Sequence, residues 1–207
     1  MSGEPVDLYW SFRSPYCYLA QGRIAALAQR FEIAIRFRVI LPLALREPDY
    51  FEGLPAIRNA YNASDALRVA DWLGVPFSRP DPDPVIFRSD RPRRPVDDQP
   101  YIYRLSRLGA AAERHGKGFA VAAVVAHLLW SGGTKGWDQA DHLAGAATDA
   151  GLDLAELEAE ITADEAALDA AIAANAAALE AAGHWGVPTL VVRGEPFFGQ
   201  DRIEVFA

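Results

Sequence analysis

Asp7-Leu8-Tyr9-Trp10-Ser11-Phe12-Arg13-Ser14-Pro15-Tyr16-Cys17-Tyr18-Leu19-Ala20 is the stretch on which the fold turns. Its first residues predict a strand over about 6–10, followed by a tight crossing into a helix that begins at Ser14-Pro15. Serine is a favoured N-cap because its hydroxyl accepts from the free N–H groups of the first turn. Proline suits the next position, where no N–H is needed and its fixed φ is already helical. A helix N-terminus favours negative charge through its unpaired donors and the macrodipole. Ser14 therefore stands where an anion, including a thiolate, is stabilised. The same pair also reads as a cap and nothing more, and the stretch alone leaves both readings open.

Working outward, residues 15–31 carry Tyr18, Leu19, Ile24, Leu27 and Phe31 at helical spacing, with Gln21, Arg23, Gln29 and Arg30 on the other side. Residues 33–40 alternate and are rich in β-branched side chains, which predicts a strand ended by Leu41-Pro42. A strand, helix and strand of these lengths form a βαβ unit with parallel strands. Near the other end, residues 189–192 predict a strand, 193–195 a turn and 196–198 its hairpin partner. Gly199-Gln200-Asp201-Arg202 then opens a short helix running from 203 to the end.

Between these two β regions no convincing strand pattern appears. A helix is predicted over 56–73, closed by Gly74. Seven of the 14 prolines fall between Pro76 and Pro100, which rules out regular structure there. Further helices are predicted over 101–115, 119–130, 138–150 and 154–182, the last either continuous or broken near Thr162-Ala163-Asp164. The helix over 119–130 is apolar nearly all round, which predicts a buried centre. His127 within it is expected to be a hydrogen-bonded core histidine, because no second His or Cys lies at metal spacing.

Composition sets outer limits. With 207 residues and 51% apolar side chains, the chain can bury one good core, or one domain with a large insertion. Its net charge of −8 argues against nucleic acid or an anionic membrane as partner. The longest apolar run is too short to span a bilayer. Residues 1–5 lack the pattern of a secretory leader, and the single cysteine, Cys17, excludes an internal disulfide. The expectation is a soluble cytoplasmic protein with no metal.

The order βαβ, helices, ββα is that of a thioredoxin-like α/β fold with an all-helical insertion. Residues 1–45 and 184–207 would form the thioredoxin-like domain and residues 46–183 the insertion. Ser14-Pro15-Tyr16-Cys17 falls where that superfamily places a redox Cys-x-x-Cys. Gly186-Val187-Pro188-Thr189 falls where it places a cis-proline loop. Ser-Phe-x-Ser-Pro-Tyr at 11–16, Gly-Val-Pro-Thr at 186–189 and Phe-Phe-Gly-Gln-Asp-Arg at 197–202 stand in order and at domain-length spacings. Together they resemble the kappa-class glutathione transferases and the 2-hydroxychromene-2-carboxylate isomerases, within the DsbA-like group.

The resemblance implies glutathione as cofactor, a hydrophobic aromatic electrophile as substrate, and a homodimer. It implies that Ser14 hydrogen-bonds the glutathione sulfur and favours its thiolate. Val187, before cis-Pro188, would pair with the cysteinyl backbone. Asp201 would meet the γ-glutamyl ammonium group, and the Gln200 N–H the γ-glutamyl carboxylate. Where the family has a lysine for the glycyl end, this sequence offers Arg58, and the family's accompanying asparagine has no evident counterpart. The segment 76–100, with Arg88, Arg91, Arg93 and Arg94, is longer than the family's connection and is expected to line the second-substrate pocket. Two other functions stay open: thiol–disulfide exchange through Cys17, and binding of glutathione or a peptide without turnover.

Overall fold

The computed structural model describes residues 5–139 and 141–206. A four-stranded sheet runs in the order β2-β1-β3-β4, from β1 (Val6–Trp10), β2 (Ile35–Val39), β3 (Thr189–Val192) and β4 (Glu195–Phe198). β1 pairs parallel with β2 and antiparallel with β3, and β3 pairs antiparallel with β4. The crossover between β1 and β2 is α1 (Pro15–Arg30), as the βαβ reading requires. Of residues 1–5, on which the leader reading rests, 1–4 lie outside the described residues; so do residue 140, in the helix expected over 138–150, and residue 207, at the end of the last one.

Between β2 and β3, the named elements of the described residues are all helical. They are α2 (Leu43–Arg46), α3 (Pro48–Gly53), α4 (Ala56–Leu73), α5 (Pro100–Arg114), α6 (Gly118–Trp130), α7 (His142–Asp149) and α8 (Leu154–Ala181). The sequence pattern does not predict α2 or α3, because four and six residues are too few to show a period. Gly74 ends α4 at φ +66°, a left-handed conformation that suits glycine. α8 is continuous apart from a kink at Asp164, where φ is −125° and ψ is 24°. A 3-10 turn (Gln200–Arg202) leads into α9 (Ile203–Phe206).

One hydrophobic cluster includes Leu8 and Trp10 of β1, Leu19 and Ile24 of α1, Leu105 of α5 and Val121 of α6, so sheet and helices share a core. The free edge of β2 is covered by side chains. Glu113 accepts the Phe37 N–H at 2.9 Å, and Asn175 donates to the Val39 carbonyl at 3.0 Å. Burial raises the Glu113 carboxyl above its ordinary value, while the Phe37 and Gly118 N–H groups oppose that rise.

Two expectations about α6 need correction. Its buried residues are Gly118, Val121, Ala122, Val125, Ala126, Leu129 and Trp130, so it buries one face rather than its whole circumference. His127 falls on the opposite side and is exposed, with its ring 6.3 Å from that of Tyr18. It is not a core histidine.

Candidate active site

Ser14 caps α1 as predicted: its hydroxyl oxygen accepts the Cys17 N–H at 3.3 Å. A hydroxyl carries one donor and two acceptor lone pairs, so this bond leaves the Ser14 proton free to donate. Ser14 is half-buried. Cys17, three residues on, is wholly buried, and desolvation pushes its thiol up to about 12, with the Ser11 backbone and the Ser14 hydroxyl opposing the rise. A thiol held so far above neutrality is a poor nucleophile.

The β1–β3 register runs Asp7↔Val191, Leu8↔Leu190, Tyr9↔Thr189. β3 therefore begins at the C-terminal end of β1, the end from which Ser11–Ser14 lead into α1, and Val187-Pro188 enters β3 there. The Val187–Pro188 peptide bond is cis. Its loop is fixed on both sides: Thr189 Oγ1 donates to the Gly186 carbonyl at 2.7 Å, and the Gly199 N–H to the Pro188 carbonyl at 2.9 Å. The N–H and C=O of Val187 itself take no partner among the described residues. That is an unused strand edge at this end of the sheet.

Gly199 follows β4 at φ +104°, and a Cβ there would lie 2.5 Å from Asp201 Oδ1. Glycine lets the Asp201 carboxylate fold back over the turn. Asp201 is exposed and pairs with Arg202 at 2.7 Å. It also belongs to the surroundings of Tyr16. Burial, the Tyr16–Asp65 hydrogen bond of 2.7 Å and the charges of Asp65 and Asp201 all raise the Tyr16 phenol above its usual range. The Gln200 side-chain oxygen is taken up by Arg23 of α1, which also holds Glu204 at 3.1 Å, leaving the Gln200 side-chain amide nitrogen and backbone for a ligand.

Beside this junction opens a cleft of about 480 Å³. The start of α1 gives it Arg13, Pro15 and Tyr16; α3 and α4 give Phe51, Asn59 and Asn62; α6 gives Trp130. α4 adds Ala63 and Ala66, and the proline-rich segment supplies the rest, including Phe77, Arg79, Asp83, Phe87 and Arg93. That segment is held by many hydrogen bonds although it contains no helix or strand. The buried Gln99 donates to the Ile86 carbonyl at 2.7 Å and accepts its N–H at 2.9 Å. Arg91 grips Glu52 at 2.7 and 2.5 Å, and Arg93 donates to the Leu54 carbonyl.

The structure thus brings Ser14, Val187, Pro188 and the turn at Gln200-Asp201 to one end of the sheet. Arg58 does not join the cleft; it is exposed and donates to Tyr50 at 3.1 Å. The next residue, Asn59, lines the cleft, and so does Asn62, supplying amides that the sequence reading did not locate. Trp130, Phe51 and Arg13 were also missed. Arg13 stands inside the Ser-Phe-x-Ser-Pro-Tyr stretch and was the one signal at hand.

A family model described as a DSBA-like thioredoxin domain matches residues 5–207. The chain belongs to this family. It is 29% identical to a 2-hydroxychromene-2-carboxylate isomerase of Sphingobium xenophagum, over 97% of this chain and 95% of that one. A solved structure of 2-hydroxychromene-2-carboxylate isomerase superposes with a TM-score of 0.67 at 25% identity, covering 98% of this chain and 92% of that one. The cytosolic disulfide reductase DsbM of Pseudomonas aeruginosa, solved with GSH, superposes at 0.64 and 18% identity, covering 98% and 96%. At that identity the likeness is one of fold.

The described residues hold no group of three His, Cys, Asp or Glu side chains placed for a metal ion, and no helix long and apolar enough to cross a membrane.

Proposed function

We propose that this chain is a glutathione-dependent isomerase of the 2-hydroxychromene-2-carboxylate type, with transferase chemistry on related aromatic electrophiles as its near alternative. The observation that carries the reading is the unpartnered Val187 backbone edge at the same sheet end as the free Ser14 hydroxyl proton, with an aromatic cleft adjoining. Similarity to the Sphingobium isomerase over nearly the full length supports the choice of reaction.

The residues fit a γ-glutamyl tripeptide. Val187 offers one N–H and one C=O to a peptide backbone, as a sheet edge does to an added strand. Asp201 offers a carboxylate to an ammonium group. Bound glutathione would supply a sulfur nucleophile for reversible addition to a conjugated carbon of the electrophile. Ser14 would donate a hydrogen bond to the sulfur while keeping its proton, and the N-terminus of α1 would add the field of its partial positive charge. Both favour the thiolate over a thiol whose ordinary pKa is about 8.5. Phe77, Phe87 and Trp130 offer an apolar surface for the electrophile and keep water from it.

Thiol–disulfide exchange is the weaker reading, because Cys17 is buried and its thiol is held protonated. Binding without turnover is separated from isomerisation by assay alone. We further place the protein in the cytoplasm as a homodimer, with residues 1–45 and 184–207 as the thioredoxin-like part and 46–183 as the helical one.

The test is calorimetric titration with reduced glutathione, followed by isomerisation of 2-hydroxychromene-2-carboxylate monitored by absorbance. Binding with turnover supports the reading; binding with no turnover across a panel of electrophiles leaves a binding protein. No binding by the wild type ends the glutathione assignment. Sedimentation as a monomer would end the homodimer.

A further inference from the structure

The cleft beside Ser14 carries more positive charge than its own residues neutralise. Three guanidinium groups line it, on Arg13, Arg79 and Arg93, against one carboxylate, Asp83. Three positive charges less one negative leave +2, in a chain whose net charge is −8. Two of the three guanidiniums are committed. Arg13 holds Asp83 through both oxygens at 2.7 and 2.9 Å, and Arg93 donates to the Leu54 carbonyl. The Arg79 guanidinium has no hydrogen bond or ion pair among the described residues.

Its backbone is nevertheless fixed. The neighbouring Ser78 N–H donates to the Trp130 carbonyl at 2.7 Å, pinning the segment to the end of α6. Phe77 and Arg79 stand two apart in a non-helical segment, the spacing that puts side chains on one face, and both line the cleft. Phe77 stacks on Trp130 with ring centroids 5.7 Å apart and planes at 18°. An aromatic wall and an uncommitted guanidinium are therefore carried on the same short stretch. A planar guanidinium fork matches a carboxylate in two-point geometry.

We propose that Arg79 is a specificity-determining residue that binds the carboxylate of a planar aromatic electrophile packed against Phe77 and Trp130. This deepens the isomerase reading and rests on it for turnover, but the binding preference is measurable without glutathione. Glutathione carries carboxylates too. The groups assigned to it, Ser14, Val187 and Asp201, lie outside the cleft lining, and that favours the electrophile as the Arg79 ligand.

The experiment compares two unreactive probes, coumarin-3-carboxylate and coumarin, by calorimetry on the full chain. The wild type is expected to bind the carboxylate at least about tenfold tighter, as a charge-assisted bond at a partly exposed site allows. Arg79→Gln should bring the two probes within about threefold, Arg79→Lys should keep part of the preference, and glutathione affinity should not change. Arg79 is exposed and unpaired, so both variants should keep the wild-type melting temperature. Equal affinity for the two probes in the wild type, or an unchanged preference in Arg79→Gln, would overturn the proposal. So would an Arg79→Gln that loses glutathione binding and keeps the probe preference, which would give Arg79 to a glutathione carboxylate. A preference for the carboxylate with no glutathione binding would sink the isomerase reading and leave this one standing. Turnover with no such preference would do the reverse.

Discussion

Arg13 holds both carboxylate oxygens of Asp83, at 2.7 and 2.9 Å, across 70 residues of chain. Asp83 also accepts the Val85 N–H at 2.9 Å, and the Arg13 guanidinium lies 4.7 Å from the centre of the Phe87 ring. The residue just before the α1 cap thereby positions one wall of the cleft. The helix start and the cleft wall are mechanically joined at this pair.

Removing that joint should affect the second substrate and leave glutathione alone. Asp83 is 46% exposed, so Asp83→Ala should lower stability by no more than about 1 kcal/mol. With Arg13 released and Phe87 uncovered, KM for the electrophile should rise several-fold while the glutathione Kd stays put. Steady-state kinetics beside calorimetry checks this. A parallel loss of glutathione affinity would mean that the pair supports the whole helix start.

Ser14→Ala separates capping from catalysis. Losing an N-cap costs about 1 kcal/mol, and the long 3.3 Å bond to Cys17 puts this site at the weaker end. Losing a hydrogen bond aimed at a reacting anion costs about 100-fold or more in rate. The variant should therefore melt only a few degrees lower while kcat falls far more, and the glutathione thiol in its complex should titrate at higher pH. Wild-type kinetics in a folded Ser14→Ala protein would reduce the residue to a cap.

Asp201 and its neighbour Arg202 should behave oppositely. The Asp201–Arg202 pair is exposed on both sides and contributes little to stability. Asp201→Asn should raise the glutathione Kd about tenfold or more, since a hydrogen bond to a charged group is worth about 1.5–3 kcal/mol. Arg202→Ala frees the carboxylate and should hold or tighten binding. If both substitutions weakened binding alike, the pair would matter as a structural unit and the ammonium assignment would fall.

How much of this could be read in the chain depended on the range of each signal. Ser14-Pro15, Gly74 and the alternation of residues 33–40 act within one turn or one strand, and the structure follows them closely. The cis bond at Pro188 was legible only through resemblance. α2 and α3 were too short to show a period. His127 was misplaced because a helix apolar on most sides does not announce which side faces water; its buried residues are spaced three and four apart, and His127 falls opposite them. The cleft was the least legible part. It is assembled by bonds such as Arg13–Asp83 and Arg91–Glu52, whose partners are 70 and 39 residues apart and carry no local pattern. The arginines of 76–100, visible as a cluster, are mostly spent on holding the segment in place.

Cys17 gives a test that separates redox from thiolate-binding chemistry, and its direction follows from burial. The thiol is neutral when protonated, and desolvation raises it from its ordinary 9.0 to about 12 in the folded chain. Between those values the unfolded chain has lost the proton and the folded chain keeps it. Stability from this group is complete below about pH 9 and falls as pH rises through the window, by at most about 1.4 kcal/mol per pH unit. Cys17→Ala removes that slope. It should cost roughly 1 kcal/mol at pH 7 through lost packing, and the gap to wild type should narrow from pH 9 upward in melting curves. Tyr9, Tyr16 and Tyr18 are shifted in the same sense, so the wild-type decline should be reduced and not abolished. Turnover of the variant at pH 7 should match wild type, and native wild-type protein should resist thiol labelling. Rapid labelling at neutral pH together with lost activity in Cys17→Ala would return the working sulfur to the protein.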